Sequence, residues 1–316
     1  MSALLIAAAV AVDAALGEPR RGHPLVGFGR YANWLEKKLH PGPLASPQQA
    51  RWRGALAVLL AVLPLTLLTI ALCHFTARWP LVAAALQVVL LYFTIGHRSL
   101  HEHARAVWLA LRHEDISGAR VAVGRIVSRN CSAMDDHQIA AATVESVLEN
   151  GSDAVFGALF WFAVLGAPGA VAYRLINTLD AMWGYRTPRH LHFGYCAAKL
   201  DDAVNWLPAR LTALSYALAA GSLTALRCWQ QQASAWDSPN GGPVMAAGAG
   251  ALGLRLGGAA RYHGQLKHRP PLGIGRTPRT EDIRSALSLL LRALSIWMVV
   301  LMLIDFVATR GGAGHA

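Results

Sequence analysis

Glu145 and Glu149 stand four residues apart, and Asp153 follows at the same interval. On an α-helix that spacing puts side chains on one face. Three carboxylates so placed would suit Mg²⁺, a hard cation that takes oxygen ligands; the plainer account is a solvated helix face. A second polar run is Asn177-Thr178-Leu179-Asp180 with Gly184-Tyr185. A third is Asp201-Asp202 with Asn205, then Pro208-Ala209-Arg210. Asp201 and Asn205 are again four apart. Adjacent carboxylates beside apolar sequence are costly unless a cation offsets them, so the pair marks either a ligand site or a helix start capped by one of the two. Ser238-Pro239-Asn240 opens a turn whose backbone N–H groups could nest an anion.

Two further patterns carry less. Gly248-Ala-Gly250-Ala-Leu-Gly253 matches a dinucleotide fingerprint, but no strand precedes it, and small residues for close helix packing explain it better. His97, His101 and His103 lack a second ligand group and read as an interfacial cluster.

The elements that must position these residues are apolar. Of 316 residues, 54% are hydrophobic and 15% charged, which points to a chain that meets lipid. Segments 54–73, 80–96 and 286–308 are long enough to cross hydrocarbon, and 1–17, 154–173 and 211–226 are further apolar stretches. In the first of these the basic residues, Arg20 and Arg21, follow the apolar part, so it reads as a retained anchor with its N-terminus outside. The net charge of +11 is spread between apolar runs, which argues against a nucleic-acid partner. Four cysteines at 73, 131, 196 and 228 form no Cys-x-x-Cys pair.

Lys and Arg concentrate in 18–53, 97–151 and 222–285, which places those segments on the cytoplasmic side. Segments 154–173 and 211–226 must then both cross or both fail to cross. Gly166-Ala167-Pro168-Gly169 interrupts the first, which favours a re-entrant or protein-buried hairpin. Within 97–151, Ser132-x-x-Asp135 reads as a capping start and Asn150-Gly151 as a stop, bounding a helix near 133–149. The expectation is an all-α, polytopic membrane protein forming a single embedded domain over 1–316, with helical cytoplasmic segments and buried hairpins.

The polar motifs, taken in order, resemble one family. Glu145-Ser-Val-Leu-Glu149-Asn150-Gly-Ser-Asp153, Leu159-Phe160-Trp161, Asn177-Thr178-Leu179-Asp180 with Gly184-Tyr185, Asp201-Asp202 with Asn205, Pro208-Ala209-Arg210, Ser238-Pro239-Asn240 and Leu256-Gly257-Gly258 occur as they do in the CobD/CbiB family. Asp13, Gly17-Glu18-Pro19 and His23-Pro24 fit it too. The chain departs from the family pattern at Ser128-Arg129-Asn130-Cys131, at Glu18, and at Gly241-Gly242-Pro243-Val244, where an acidic residue is usual.

The resemblance implies an adenosylcobinamide-phosphate synthase of cobalamin biosynthesis, an ATP-dependent C–N ligase of the cell (inner) membrane with its polar clusters facing the cytoplasm. Such an enzyme joins adenosylcobyric acid to (R)-1-aminopropan-2-ol phosphate, or to aminopropanol, with ATP and Mg²⁺. On that reading Glu145, Glu149 and Asp153 bind metal, Arg129 and Arg210 contact phosphate, and Asp201 or Asp202 takes a proton beside Glu145. Asn150, Asn177, Asp180, Tyr185, Asn205, Ser238 and Asn240 would contact substrate. Trp161, Trp183 and Trp206 would line a corrinoid groove at the lipid surface. Other late membrane enzymes of the pathway are implied as partners. A membrane regulator related to β-lactamase induction and a corrinoid transporter remain alternatives.

Overall fold

The computed structural model describes residues 2–19, 22–42, 45–262 and 265–312. Arg20 and Arg21, counted above for orientation, lie outside the described residues. The described residues are 76% helical. In order come α1 (Ser2–Leu16), α2 (Pro24–Leu39), α3 (Pro47–Thr76), α4 (Pro80–Tyr92), α5 (His97–Arg112), α6 (Ile116–Val123), α7 (Asp136–Gly151), α8 (Gly157–Trp183), α9 (Tyr195–Ala220), α10 (Leu223–Gln232) and α11 (Gly241–Leu252). Strands β1 (Leu256–Tyr262) and β2 (Gln265–Leu272) and the long α12 (Thr280–Gly312) complete it.

Segments Pro47–Thr76, Pro80–Arg112, Asp136–Trp183 and Thr280–Ala308 are long and apolar enough to cross a membrane. This is a membrane protein of helices, as the apolar runs indicate. α1 differs from the anchor expected: its 15 residues rise about 22 Å, less than the hydrocarbon thickness.

The chain divides into two compact units. The first comprises Met1–Gly96 and Gly157–Asn205. Its core gathers Phe28 and Leu35 of α2, Val58 of α3, Leu179 and Trp183 of α8, and Phe193. Trp183 is therefore fully buried rather than facing a lipid groove. α3 can approach closely because Gly54 lacks a side chain; a Cβ there would stand 1.9 Å from the Phe193 carbonyl oxygen. The expected interruption falls at Gly166, whose φ of 68° breaks the helical path inside α8.

The second unit comprises His97–Phe156 and Trp206–Ala316. α7 runs through its interior, with Ile139, Val144, Val147 and Leu148 all fully buried. Its start corrects the sequence reading. Asp135, not Ser132, is the cap: its carboxylate accepts from Gln138 N at 2.8 Å while the Gln138 side chain accepts from Asp135 N. Asn150-Gly151 is no stop either, since a π turn over Ser152–Phe156 carries the chain on. Gly151 serves packing: a Cβ would lie 2.6 Å from Leu290 Cδ1. Asn150 Nδ2 donates to Ser146 Oγ at 2.9 Å.

α11 explains the false dinucleotide signal. A Cβ at Gly248 would lie 2.6 Å from Leu148 Cδ2, and one at Gly250 would lie 2.9 Å from Ala225 Cα. These glycines allow close helix contact. The antiparallel hairpin of β1 and β2 was not anticipated; its register slips between Leu256 and Gly258, both glycines 257 and 258 having positive φ. Gly257 is obligatory, since a Cβ there would meet the Pro270 carbonyl oxygen at 2.2 Å.

Candidate functional site

The second unit holds a buried ion cluster. Glu145 of α7 is 2% exposed. Arg269 of β2 grips it with both guanidinium nitrogens, Nη1 to Oε2 at 2.7 Å and Nη2 to Oε1 at 3.1 Å. Arg129 Nη2 donates to Oε2 as well, and Gly257 N donates to Oε1 at 3.0 Å. A carboxylate offers about four lone-pair sites, and four donors fill them. Two guanidinium cations share this one carboxylate.

That arrangement corrects both readings of Glu145. It does not lie on a solvated face, and its oxygens are committed to arginine rather than open to a metal. Among the described residues no group of three or more His, Cys, Asp or Glu gathers as a metal site, so the expected set of Glu145, Glu149 and Asp153 does not converge. Asp153 sits in the π turn. Glu149 differs from its neighbour: no described residue hydrogen-bonds its carboxylate, and a Cβ on Gly241, at the start of α11, would stand 2.5 Å from Oε1.

Arg129 and Arg269 also line a cavity of about 820 Å³, with Arg255, His137, Gln138 and the backbone of Gly257 and Gly258. Its size lies within the range of small-molecule sites. Its charged lining is basic except for Asp135, the α7 cap. Sequence reasoning named Arg129 but missed Arg269 and Arg255. The available signal was the Leu256-Gly257-Gly258 motif: its two positive-φ glycines form the bulge in β1, and Gly258 pairs with Arg269 of β2.

Arg210 is used differently from the phosphate contact expected. Its guanidinium donates to Trp206 O at 2.7 Å, Asn240 Oδ1 at 3.2 Å and Pro239 O at 3.3 Å, and it lies 4.2 Å from the Trp206 ring centroid. It clamps the turn before α11. Ser238 Oγ accepts from Gly241 N at 2.9 Å and Asn240 N at 3.3 Å, so those amides close the turn rather than nesting an anion.

The first unit contains a separate polar chain between α8 and α9. Asp201, 9% exposed, accepts at Oδ1 from Asn177 Nδ2 at 3.2 Å and from Asn205 Nδ2 at 3.0 Å. Tyr173 Oη donates to Asn205 Oδ1 at 2.7 Å, and Arg174 Nη1 donates to Asn177 Oδ1 at 3.4 Å. The structure thus joins Asn177, Asp201 and Asn205 and adds Tyr173. Burial pushes the Asp201 carboxyl up to about 6; the two amide donors oppose this and the Asp202 charge reinforces it.

Asp202 pairs with exposed Lys199 at 2.9 Å. Asp180 lies against Gly184, where a Cβ would be 2.0 Å from its Oδ1. Tyr185 is exposed.

A family model described as CobD/Cbib protein matches residues 6–290. A cobalamin biosynthesis protein CobD of Chromobacterium violaceum is 56% identical over 298 residues, covering 94% of each chain. Proteins of the same name are similar in Stutzerimonas stutzeri, at 53% over 95% of this chain and 96% of that one, and in Mycobacterium tuberculosis, at 40% over 88% of each. No solved structure matches this chain. The chain belongs to the CobD/CbiB family.

Proposed function

We propose that this protein acts in cobalamin biosynthesis as an ATP-dependent ligase, forming the amide between the free propionate of adenosylcobyric acid and (R)-1-aminopropan-2-ol phosphate. Its CobD relatives supply the pathway. The observation that carries the chemistry is the arginine-lined cavity of about 820 Å³ beside the Glu145 cluster.

A carboxylate resists an amine because it is anionic and lacks a leaving group. In the proposed sequence its oxygen attacks the γ-phosphorus of ATP, releasing ADP and leaving an acyl phosphate. The amine nitrogen then attacks the acyl carbon, phosphate departs, and the nitrogen loses a proton. Both halves handle phosphate anions, and guanidinium forks suit them. Arg129 and Arg269 do so with their planes fixed by Glu145, which removes the cost of ordering them at each encounter.

Mg²⁺ fits this chain as a companion of the nucleotide rather than in an all-protein cage, because it commonly takes one or two carboxylates plus substrate phosphates. Glu149 is the proposed ligand from this chain; it stands one helical turn after Glu145 on α7, outside the lining of the arginine cavity. When bound, the ion neutralises phosphate charge. Asp201 is the proposed proton acceptor of the amine, since a carboxyl near 6 is ionised at neutral pH yet basic enough to take a proton. The basic segments, and the location of ATP, favour the cell (inner) membrane with the polar clusters on the cytoplasmic side.

The test is to incubate the purified protein with adenosylcobyric acid, aminopropanol phosphate and Mg-ATP. The expected result is the condensed product by mass spectrometry with one nucleotide consumed per amide. Corrinoid binding without nucleotide consumption or product overturns the reading. Free aminopropanol replacing its phosphate with equal KM removes the phosphate role of the arginines.

A further inference from the structure

A second, smaller cavity lies in the second unit between α5 and α12. It has a volume of about 280 Å³ and is lined by His101, Arg105, Trp108, Arg284 and Leu287. Arg284 and Arg112 both stand over the Trp108 ring, each guanidinium carbon 5.1 Å from its centroid. The indole Nε1 of Trp108 is buried and has no hydrogen-bond partner among the described residues. Arg105 and Arg284 enter no ion pair with described residues, although Arg112 faces Glu281 at 3.9 Å. Two unpaired cations and one unsatisfied donor thus converge on one hollow.

The hollow's depth relative to lipid follows from the chain. α12 becomes apolar from Ala286, two residues beyond Arg284, and remains so to Ala308 apart from Arg292 and Asp305. α5 carries Arg98, His101, Glu102, His103, Arg105 and Arg112, too many ionisable groups for hydrocarbon. Arg284 therefore lies where the span of α12 meets the polar layer, and Trp108 has the amphipathic ring that favours that level. Basic pockets beside membrane helices at that depth fit anionic headgroups.

We propose that this hollow binds the phosphate of an anionic membrane lipid. Arg105 and Arg284 supply the charge, His101 and Trp108 Nε1 supply further hydrogen-bond donors, and Leu287 meets the start of the acyl chains. The chemistry recognised is a phosphate group, which a lipid headgroup or free phosphate could provide; the apolar start of α12 assigns it to lipid. This inference is independent of the catalytic reading, since none of these residues lines the larger cavity.

The experiment titrates the full-length, delipidated protein in neutral detergent with phosphatidylglycerol, phosphatidylcholine or inorganic phosphate, and counts bound lipid by native mass spectrometry. Saturable binding of phosphatidylglycerol, and not of phosphatidylcholine, is expected. The double substitution Arg105→Gln and Arg284→Gln should weaken it about thirty-fold, from about 1 kcal/mol for each basic residue near the headgroups. Equal binding of phosphatidylcholine, displacement by millimolar inorganic phosphate, or unchanged binding in the double variant overturns the proposal. Arg105→Lys, which keeps the charge and folds as the parent does, should retain most of the affinity; loss of binding there also counts against a charge-based site.

Discussion

Tyr173 Oη and Asn205 Oδ1 lie 2.7 Å apart, and this bond determines which end of the Asn205 amide faces Asp201. With its oxygen held by the phenol, Asn205 can present only Nδ2 to the carboxylate, as it does at 3.0 Å. Space for the phenol comes from Gly157, where a Cβ would lie 2.1 Å from the Tyr173 oxygen. Tyr173→Phe frees the amide to rotate and removes one donor from the ionised Asp201. The expected outcome is a rise in the apparent pKa of the acidic limb of the pH–rate profile. Stability should fall by about 1 kcal/mol, the worth of one buried hydrogen bond. An unchanged acidic limb with lowered stability would reduce Tyr173 to a packing residue.

Asp201 itself predicts a direction for both activity and stability with pH. Its carboxyl is raised to about 6, above the ordinary carboxylate value of about 4. As a proton acceptor it works when ionised, so kcat/KM should climb as pH rises through about 6. Its effect on folding runs the other way. The fold prefers the protonated form, so the stability it contributes is complete below about 4 and is lost as pH rises to about 6. Asp201→Asn should abolish the activity limb and flatten the stability profile across that window, measured by activity and by thermal unfolding in detergent.

The Glu145 cluster predicts different costs for its two sides. Glu145→Gln removes the carboxylate charge that Arg129 and Arg269 share, at a cost of about 3–5 kcal/mol. Arg269→Lys keeps the charge but replaces a two-pronged grip by a point contact. The expected outcome is a KM for the phosphate-bearing substrate raised about tenfold, worth about 1.4 kcal/mol, with kcat changed less. Steady-state kinetics on both variants checks this. A Glu145→Gln protein that is as stable as the parent would show that the ion cluster is not what holds this region together.

What was legible in the sequence, and what was not, divides on locality. Apolar length and glycine break are local, so three of the four spans and the interruption at Gly166 could be read directly, whereas the cap of α7 lies at Asp135 and not at Ser132. The spacing of Asp201 and Asn205 likewise foretold their contact within one helix. Glu145 was recognised as special, but its partner Arg269 is 124 residues away and reaches it through a hairpin that hydropathy does not announce. Spacing alone placed Glu145, Glu149 and Asp153 on one face as a metal set. The three do not gather in the fold, because a π turn follows α7 and arginines engage Glu145, and neither has a local signature. Asn150-Gly151 looked like a helix end because glycine's conformational freedom is visible in sequence, whereas its use for close packing against Leu290 is not.

In the first unit the connection between α8 and α9 is latched to α2. Glu36, 8% exposed, accepts from Arg189 Nε at 2.7 Å and His190 Nε2 at 3.2 Å. His40 Nε2 adds a contact to the Arg189 carbonyl at 2.9 Å. Burial pushes the Glu36 carboxyl up, but Arg189 and His190 outweigh this and hold it below the usual range. A carboxyl lowered on folding contributes stability above its unfolded value of about 4.3, and that contribution is lost as pH falls through the lower folded value. Glu36→Gln should therefore destabilise the protein at pH 7 and approach parity with the parent in strong acid. Equal melting temperatures at pH 7 would show the latch to be without consequence.

That same connection reports sidedness. If residues 177–205 face the cytoplasm, a cysteine there is shielded from an impermeant maleimide in intact cells. His190 is a poor probe because its ring is occupied by Glu36, whereas Arg186 is exposed. In a background with the cysteines at 73, 131, 196 and 228 replaced, Arg186→Cys should stay unlabelled in intact cells and react after permeabilisation. A second cysteine at Arg227 should behave alike, since its segment carries eight basic residues. Labelling of Arg186→Cys from outside, with Arg227→Cys protected, would put Asp201's unit on the side without ATP. Its proposed role as proton acceptor would then be lost, while the arginine cavity of the second unit kept its own.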